Sequence, residues 1–385
     1  MDRLTAPSLD QLRTRTSEKW REYPPDVLPL FVAEMDFALA EPIAEALSDA
    51  IARSDTGYAG PDEALPEAFA AFAGRRWAWE VDPGRVSTTT DVSVVVVETL
   101  RLATSADDGV VINPPVYAPF ADLVREAGCT VVEVPLLPGG ASGAWSLDLD
   151  GLERAFAAGA RAYLLCNPHN PLGLVHSRQQ LRAVAELAAR YDVTVVSDEI
   201  HAPLTHAGVA FTPFLDVSEA AREQGVAAHS ASKAWNLAGL KCALFVTGSD
   251  RMHRMLAALP EEVHFRTSLF GRIAATAAFT AGEPWLDAAL AAIEHNGALL
   301  GTLLSERMPR IRFMPPEASY LAWLDFRGAG WGDDPSVRAL SDARVALNPG
   351  PSFGTQGRGF ARLNFACSPE VLAEAVTRLA AASPR

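Results

Sequence analysis

Five short apolar segments, none of which alternates polar with apolar residues, constrain the fold of this 385-residue chain most strongly. Amphipathic stretches separate them, such as 177–191, in which Leu181, Val184, Leu187 and Ala188 share one face. A strand without alternation is buried on both faces, which is typical of a parallel sheet covered by helices on each side. The five predicted strands are Gly109–Asn113, Thr130–Val134, Ala162–Cys166, Val193–Ser197 and Ala243–Thr247.

The last hundred residues differ in character from the middle of the chain. Helices are predicted over Ala288–Arg307 and Glu370–Ala382, and strands over Tyr320–Phe326 and Arg362–Ala366. This pattern indicates a smaller α+β domain, to which we expect the N-terminal segment to contribute. The predicted division is 1–45 for the N-terminal part of the small domain, 46–284 for the large domain and 285–385 for the C-terminal small domain.

The composition excludes several classes of function. With 49% hydrophobic and 21% charged residues the chain can bury a sizeable core, and its formal net charge of −14 argues against a nucleic-acid or anionic-membrane partner. The N-terminus lacks the apolar core of a signal peptide, and no apolar run is long enough to span a bilayer. The four cysteines are scattered, which indicates free thiols in a reducing compartment. We therefore expect a cytoplasmic protein.

Polar clusters directly follow two of the predicted strands. Asn167–Asn170 follows one of them, and Asp198–His201 follows another. In parallel sheets ligands bind outside the carboxyl ends of the strands. This placement predicts that the two clusters share one site.

One lysine lies in an unusual setting. The segment Ser230–Lys241 places Lys233 among small and apolar residues. An amine in such surroundings loses hydration, so its pKa falls, and the neutral amine can attack a carbonyl and form a Schiff base. Nearby serines and Lys241 can meanwhile bind a dianionic phosphate. These features suit an aldehyde cofactor with a phosphate arm, pyridoxal phosphate; a solvated surface lysine is the alternative.

Two further residues suit such a cofactor, each with a plainer alternative. A carboxylate at the buried position of Asp198 is costly without a partner, and the protonated nitrogen of a pyridine ring would be one. The alternative is a helix-capping aspartate. The proline-rich loop Asn167–Gly173 is rigid enough to present Asn170 to a phenolic oxygen, although it also reads as an ordinary loop.

Aromatic, anion-binding and cationic residues complete the candidate site. Tyr117 lies among prolines after a strand and would stack on a planar ring, or else be a core tyrosine. Thr88–Ser93 precedes a helical stretch whose N-terminus would favour a phosphate, but Asp91 would repel it or cap the helix instead. Arg362 shares a strand face with Asn364 and would grip a substrate carboxylate, or lie at the surface. We find no sequence signature of a metal site.

Taken together, these segments resemble the fold-type I pyridoxal phosphate enzymes of the class I/II aminotransferase superfamily. More narrowly, the chain is similar to the cysteine-S-conjugate β-lyases of the MalY/PatB type, also called cystathionine β-lyases. The resemblance runs almost end to end and rests on Asp26–Phe37, Asn167–Gly173, Ser197–His201, Ser230–Lys241, Gly282–Asp287, Tyr320–Phe326, Asn348–Gly354 and Arg362–Cys367. It implies an α/β fold in which a large domain with a mostly parallel seven-stranded sheet joins a smaller α+β domain.

The resemblance also implies roles for individual residues. Lys233 would carry the cofactor, Asp198 would pair with its ring nitrogen and Tyr117 would stack on the ring, and these three would be the catalytic residues. Asn170 and His201 would lie near the phenolic oxygen. The phosphate would be held by Ser230, Lys241 and the backbone of Val92 and Ser93. Arg362 would bind the substrate carboxylate. Tyr58 would reach the cofactor phosphate, and the substrate, in the site of the neighbouring subunit of a homodimer.

The activity that the resemblance implies is β-elimination of a thiol from an L-cysteine conjugate, with release of pyruvate and ammonia. An aminotransferase, a decarboxylating or deaminating variant, and a cofactor-binding regulatory protein are the alternatives.

The sequence departs from the family pattern in two places. Thr90–Ser93 replaces the usual Pro-Gly-Val-Val-like loop before the phosphate-binding helix, and Glu261–Ser268 is unusual where relatives shape the substrate pocket.

Overall fold

A seven-stranded sheet forms the centre of the computed structural model, which describes residues 3–61, 63–139 and 145–383. Its order is β2-β8-β7-β6-β5-β3-β4, and every strand is parallel to the others except β8, which runs antiparallel to both of its neighbours. The strands are β2 (Val86–Thr89), β3 (Gly109–Ile112), β4 (Thr130–Glu133), β5 (Ala162–Cys166), β6 (Thr194–Asp198), β7 (Gly225–His229) and β8 (Ala243–Thr247). The predicted mostly parallel α/β fold is confirmed.

Helices cover both faces of this sheet. Alternate residues of β5 belong to different cores: Tyr163 and Leu165 pack into one hydrophobic cluster, and Ala162 and Leu164 into the other. This two-sided burial explains why the strands lack a polar face. The helices before residue 282 are α1 (Leu9–Leu12), α2 (Glu18–Arg21), α3 (Glu41–Ala52), α4 (Ala64–Trp77), α5 (Val92–Ala103), α6 (Phe120–Glu126), α7 (Leu149–Ala157), α8 (Arg178–Tyr191), α9 (Glu219–Gln224), α10 (Asp250–Leu256), α11 (Glu261–Phe265) and α12 (Leu269–Ala281).

A second, four-stranded antiparallel sheet lies in the C-terminal part of the chain, in the order β12-β13-β10-β9. A short parallel pair, β1 with β11, joins the N-terminal segment to this part of the chain. The division into domains stays a prediction. The remaining elements are β1 (Leu28–Pro29), β9 (Arg312–Phe313), β10 (Leu321–Asp325), β11 (Val345–Ala346), β12 (Asn348–Pro349), β13 (Phe360–Asn364), α13 (Glu283–Arg307), α14 (Pro335–Ser341) and α15 (Pro369–Ala381).

A buried ion pair joins two parts of the N-terminal segment to each other. Lys19 Nζ lies 2.7 Å from Asp36 Oδ1, and both side chains are almost completely buried. Lys19 also donates to the backbone carbonyl of Glu34, while Asn236 bonds both the N–H and the carbonyl of Met35. A buried charge is stable only when it is paired, so Lys19 holds residues 34–36 from one side. Asn236, which follows β7, links Met35 to the large-sheet part of the chain.

None of the helices in the described part of the chain combines the length and apolar character needed to cross a lipid bilayer. Within the same residue ranges, no three His, Cys, Asp or Glu side chains are grouped as metal ligands. All four cysteines are free thiols.

Candidate active site

The topology brings the predicted site residues to one edge of the large sheet. Asn170 follows β5, Asp198 is the last residue of β6, and Lys233 follows β7, so all three lie at the carboxyl ends of parallel strands. Lys241 reaches the same edge because it precedes the antiparallel strand β8. Helix α5 begins there as well, directly after β2, and its first residue is Val92.

A cavity of about 490 Å³ opens at this edge, and ten of the eleven predicted site residues line it. Those residues are Val92, Ser93, Tyr117, Asn170, Asp198, His201, Ser230, Lys233, Lys241 and Arg362. The exception is Tyr58, which is 83% exposed and packs against the ring of Phe265 with the ring centroids 5.1 Å apart. Its predicted role in a neighbouring subunit stays a prediction.

Lys233 projects its amine into the interior of the cavity. Its Nζ donates a hydrogen bond to the backbone carbonyl of Ala33, at 3.1 Å. Burial lowers the pKa of Lys233 to about 8, and the neighbouring positive charge of Arg362 acts in the same direction. About one tenth of the amine is therefore neutral at pH 7, far more than for an ordinary lysine, and able to act as a nucleophile or base.

Asp198 is a nearly buried carboxylate with few partners. It accepts one hydrogen bond, from the backbone N–H of Ile200 at 3.1 Å, and makes no ion pair with any described residue. Burial raises the pKa of Asp198 to about 7. Asp198 ends a strand and caps no helix, so the helix-capping alternative does not apply.

Arg362 is 3% exposed, so it is not a surface strand residue. One of its terminal nitrogens donates to Asn170 Oδ1 at 3.1 Å, and the other donates to the carbonyl of Phe31 at 3.0 Å. Its guanidinium stacks on the ring of Phe353, 5.1 Å from the centroid. The buried Nε has no hydrogen-bond partner among the described residues. Asn170, Phe31 and Phe353 thus fix the orientation of the guanidinium, and its remaining N–H donors can bind a carboxylate.

Internal contacts already engage the predicted phosphate-binding end of the cavity. Lys241 Nζ lies 3.2 and 3.4 Å from the two carboxylate oxygens of Asp91. Asp91 occupies the N-cap position of α5, yet its side chain accepts no capping hydrogen bond. The Ser230 hydroxyl donates to the carbonyl of Cys242 and accepts from the N–H of Ser232. Asp91 therefore lies beside the predicted phosphate-binding site, paired with one of the residues predicted to bind the phosphate.

Aromatic side chains line the rest of the cavity. Tyr117 is about one-third exposed, which is too accessible for a core tyrosine. Partial desolvation of its side chain, together with the negative charge of Asp198, raises the pKa of its hydroxyl. His201 is buried beside the ring of Tyr320, and its Nδ1 has no hydrogen-bond partner in the described parts of the chain. Burial lowers the pKa of His201 to about 3, so its imidazole is neutral.

Sequence reasoning did not assign a role to several residues at the site. Ala33, Glu34 and Glu18 line the cavity, and Tyr320 donates to the same Ala33 carbonyl that accepts from Lys233. Ala33 and Glu34 lie in the stretch Asp26–Phe37, and Tyr320 begins the stretch Tyr320–Phe326; both stretches carried the family resemblance, which was their only signal in the sequence. Conversely, no residue of the unusual stretch Glu261–Ser268 lines the cavity of this chain.

Comparisons with known proteins agree with this geometry. The family described as aminotransferase class I and II matches residues 25–379. A protein from Mycobacterium tuberculosis (strain ATCC 25618 / H37Rv) is 46% identical over 399 residues, which cover 97% of this chain and 96% of that protein. The cystathionine beta-lyase of Corynebacterium glutamicum is 35% identical over 381 residues, covering 97% of this chain and 98% of its own length.

Among solved structures, cystalysin from Treponema denticola superposes with a TM-score of 0.91 at 26% sequence identity. The match covers 99% of this chain and 98% of cystalysin, whose crystal structure contains a pyridoxal 5′-phosphate cofactor. The two proteins therefore share one fold over nearly their whole length.

Proposed function

This chain belongs to the class I and II aminotransferase family, and from that premise we propose that it is a pyridoxal phosphate-dependent carbon–sulfur β-lyase. The observation that carries the proposal is the meeting of Lys233, Asp198 and Arg362 in one cavity of a fold shared with cofactor-bound relatives. Its substrate would be an L-cysteine S-conjugate similar to cystathionine, and its products a thiol, pyruvate and ammonia.

The residues of the cavity fit this cofactor. Asp198 is a buried carboxylate without an ion-pair partner among the described residues, and a protonated ring nitrogen would supply that partner. His201 presents a buried nitrogen that lacks a hydrogen bond to any residue the structure describes, and an acceptor or donor on the ring would fit beside it. Lys233 has the lowered pKa that attack on an aldehyde requires. The N-terminus of α5 and Lys241 would hold the phosphate.

The protein would divide the work of catalysis among its own side chains. When bound, the cofactor would supply an electron-accepting ring, which stabilises the electron pair left at the substrate α-carbon. Asp198 would keep the ring nitrogen protonated, and Tyr117 would hold the ring in its plane. The Nζ of Lys233 would take the α-proton as a general base, which its pKa of about 8 permits.

Arg362 would bind the substrate carboxylate through the donors that its protein partners leave free. Because Asn170 and Phe31 fix the guanidinium plane, the bound carboxylate would in turn fix the direction of the α-hydrogen. The substrate would then present this hydrogen to Lys233, and the thiolate would leave from the β-carbon.

The proposed reaction is tested by incubating the purified holoenzyme with a panel of cysteine conjugates, cystathionine among them. Stoichiometric release of pyruvate, ammonia and thiol is the expected result. Transfer of the amino group to a 2-oxo acid, without thiol release, would instead identify an aminotransferase, which needs the same residues. Release of carbon dioxide or consumption of oxygen would identify the decarboxylating or deaminating variant, and binding without turnover a regulatory protein.

We also propose a homodimer with composite sites. Its support is the exposure of Tyr58 and of its packing partner Phe265, which is 45% exposed, on one face of the chain. Large exposed aromatic pairs are typical of interaction surfaces. Sedimentation equilibrium at micromolar concentration should give twice the chain mass of 41.1 kDa. A monomer under those conditions would contradict the proposal.

Replacing Asp91 with asparagine is expected to tighten cofactor binding by about 2- to 5-fold. In the wild type the Asp91 carboxylate competes with the phosphate for Lys241 and repels the phosphate dianion. The expected gain in affinity is modest because the side chains of Asp91 and Lys241 are partly exposed to solvent. Titrating cofactor-free protein with pyridoxal phosphate, followed by absorbance, measures the dissociation constant.

A matched control is Asp82→Asn, which removes a carboxylate paired with Arg85 outside the cavity. It should leave the dissociation constant unchanged. Weaker binding by Asp91→Asn would mean that the carboxylate instead holds Lys241 in place for the phosphate.

A further inference from the structure

The backbone carbonyl of Ala33 accepts two hydrogen bonds inside the cavity wall. Lys233 Nζ donates to it at 3.1 Å, and the hydroxyl of Tyr320 donates to it at 3.0 Å. Lys233 follows β7 of the large sheet, Tyr320 precedes β10 of the small sheet, and Ala33 belongs to the N-terminal segment. Three separate parts of the chain therefore meet at one oxygen atom.

The segment around Ala33 has no regular structure, so side chains from elsewhere set the direction of its carbonyls. Arg362 bonds the carbonyl of Phe31, and Asn364 bonds those of Val32 and Glu34 at 2.7 and 2.6 Å. These contacts fix the carbonyls of the residues on either side of Ala33. The carbonyl of Ala33 itself receives only Lys233 and Tyr320 as described donors. The N–H of Glu34, which belongs to the same peptide unit, donates to the carbonyl of Val32 at 3.0 Å. Tyr320 is thus the side-chain anchor of the Ala33 carbonyl that is independent of the lysine.

Tyr320 is itself held rigidly. It is fully buried, its carbonyl accepts from the N–H of Phe365 at 2.9 Å, and its ring packs edge-on to His201. The preceding residue, Ser319, has a φ of +74°, a left-handed conformation that is uncommon for a residue other than glycine. Ser319 keeps this conformation because its N–H bonds Leu204 and its carbonyl bonds His206. Such strain persists where surrounding structure over-determines a position.

Resting on the proposed function, we infer that Tyr320 is a positioning residue for Lys233. Its hydroxyl orients the Ala33 carbonyl, and that carbonyl sets the direction of the lysine amine, both when the amine attacks the cofactor aldehyde and when it takes the substrate α-proton. Burial raises the pKa of Tyr320, so its hydroxyl remains a donor at every working pH. Tyr320 transfers no proton in this scheme.

The variant Tyr320→Phe tests this role with two readouts. The first is the rate at which cofactor-free protein captures pyridoxal phosphate covalently, measured by trapping with borohydride and mapping the peptide that contains Lys233. We expect a fall of about 10-fold, since the amine is no longer directed. The second is turnover: kcat should fall about 10- to 100-fold while KM changes less than about twofold, because the contacts of Arg362 are unaltered.

The control variant is Tyr163→Phe. Tyr163 is equally buried, and its hydroxyl also makes one hydrogen bond, to Asn113 Oδ1 at 2.5 Å, but it does not line the cavity. It should capture the cofactor at the wild-type rate. Wild-type capture and kcat in Tyr320→Phe, or equal slowing by both variants, would overturn the inference. Slowed capture in an enzyme that releases no thiol would reject the lyase proposal and still support the role of Tyr320.

Discussion

Lys233→Ala is expected to abolish covalent capture of pyridoxal phosphate and to lower kcat for thiol release by on the order of 10⁴-fold. The variant removes both the nucleophile that attaches the cofactor and the base that takes the substrate α-proton. Folding should be unaffected, because the wild-type amine is a costly buried group whose pKa is lowered to about 8 chiefly by burial. The thermal midpoint of the cofactor-free variant should therefore equal or exceed that of the wild type.

The composition makes this test unusually clean. The chain contains only three lysines, at positions 19, 233 and 241. Lys19 is buried in an ion pair with Asp36, whereas the side chain of Lys241 is 56% exposed. If solvent accessibility alone determined which amine the cofactor labels, Lys241 would be the preferred target. Borohydride reduction of the wild-type holoenzyme followed by peptide mass analysis should place the label on Lys233. Label on Lys241 would remove the central assignment of the site.

Much of the site was predictable because its residues follow strands that the sequence marks clearly. Continuous apolar runs identified β5 and β6, and the polar clusters that end or follow these strands place Asn170, Asp198 and His201 in the cavity wall. Helix α8 shows the same agreement: its four predicted core residues are buried, and Ser177 caps its N-terminus. Where local pattern and tertiary burial coincide, a single sequence is sufficient.

Two strands of the large sheet carry no such pattern. β7 reads Gly-Val-Ala-Ala-His and β2 reads Val-Ser-Thr-Thr, so neither has the run of large branched residues that indicates a buried strand. β7 is nevertheless central, between β6 and β8, where its small residues are fully buried. Its place is determined by its neighbours, which the local sequence does not encode.

The Ala33 carbonyl was missed for a different reason. Its partners lie 200 and 287 residues away along the chain, and the acceptor is a backbone atom that every residue possesses. Residue type therefore gives no indication of it. Asp91 is the opposite case, since a carboxylate at a predicted phosphate site is visible in the sequence, and only its pairing with Lys241 required the structure.

Asp198→Asn is expected to lower kcat by about 10²- to 10³-fold while the cofactor remains attached to Lys233. The substitution keeps the shape of the side chain but removes the charge that would hold a proton on the ring nitrogen, so the ring would accept electrons less readily. Steady-state kinetics, with cofactor content measured on the same samples, checks this result.

The stability of the cofactor-free variant should change in the opposite direction. Burial raises the pKa of Asp198 from its ordinary value of about 4 to about 7 in the folded protein. Between these two values the folded state binds more protons than the unfolded state, so the wild type loses stability as the pH rises from about 4 to about 7 and no further above that range. Asparagine does not titrate, and the variant should therefore be the more stable protein at pH 8, by a margin that shrinks as the pH falls towards 4.

Asp325→Asn provides the matched control, because Asp325 is also the last residue of a strand. Burial acts to raise the pKa of Asp325, but hydrogen bonds from Arg327 outweigh it and the pKa is lowered. Its loss should cost stability at pH 8 and leave kcat unchanged. An Asp198→Asn variant that was less stable than the wild type at pH 8, with a kcat loss no larger than the one caused by Asp325→Asn, would show that the buried carboxylate supports the fold and not the reaction.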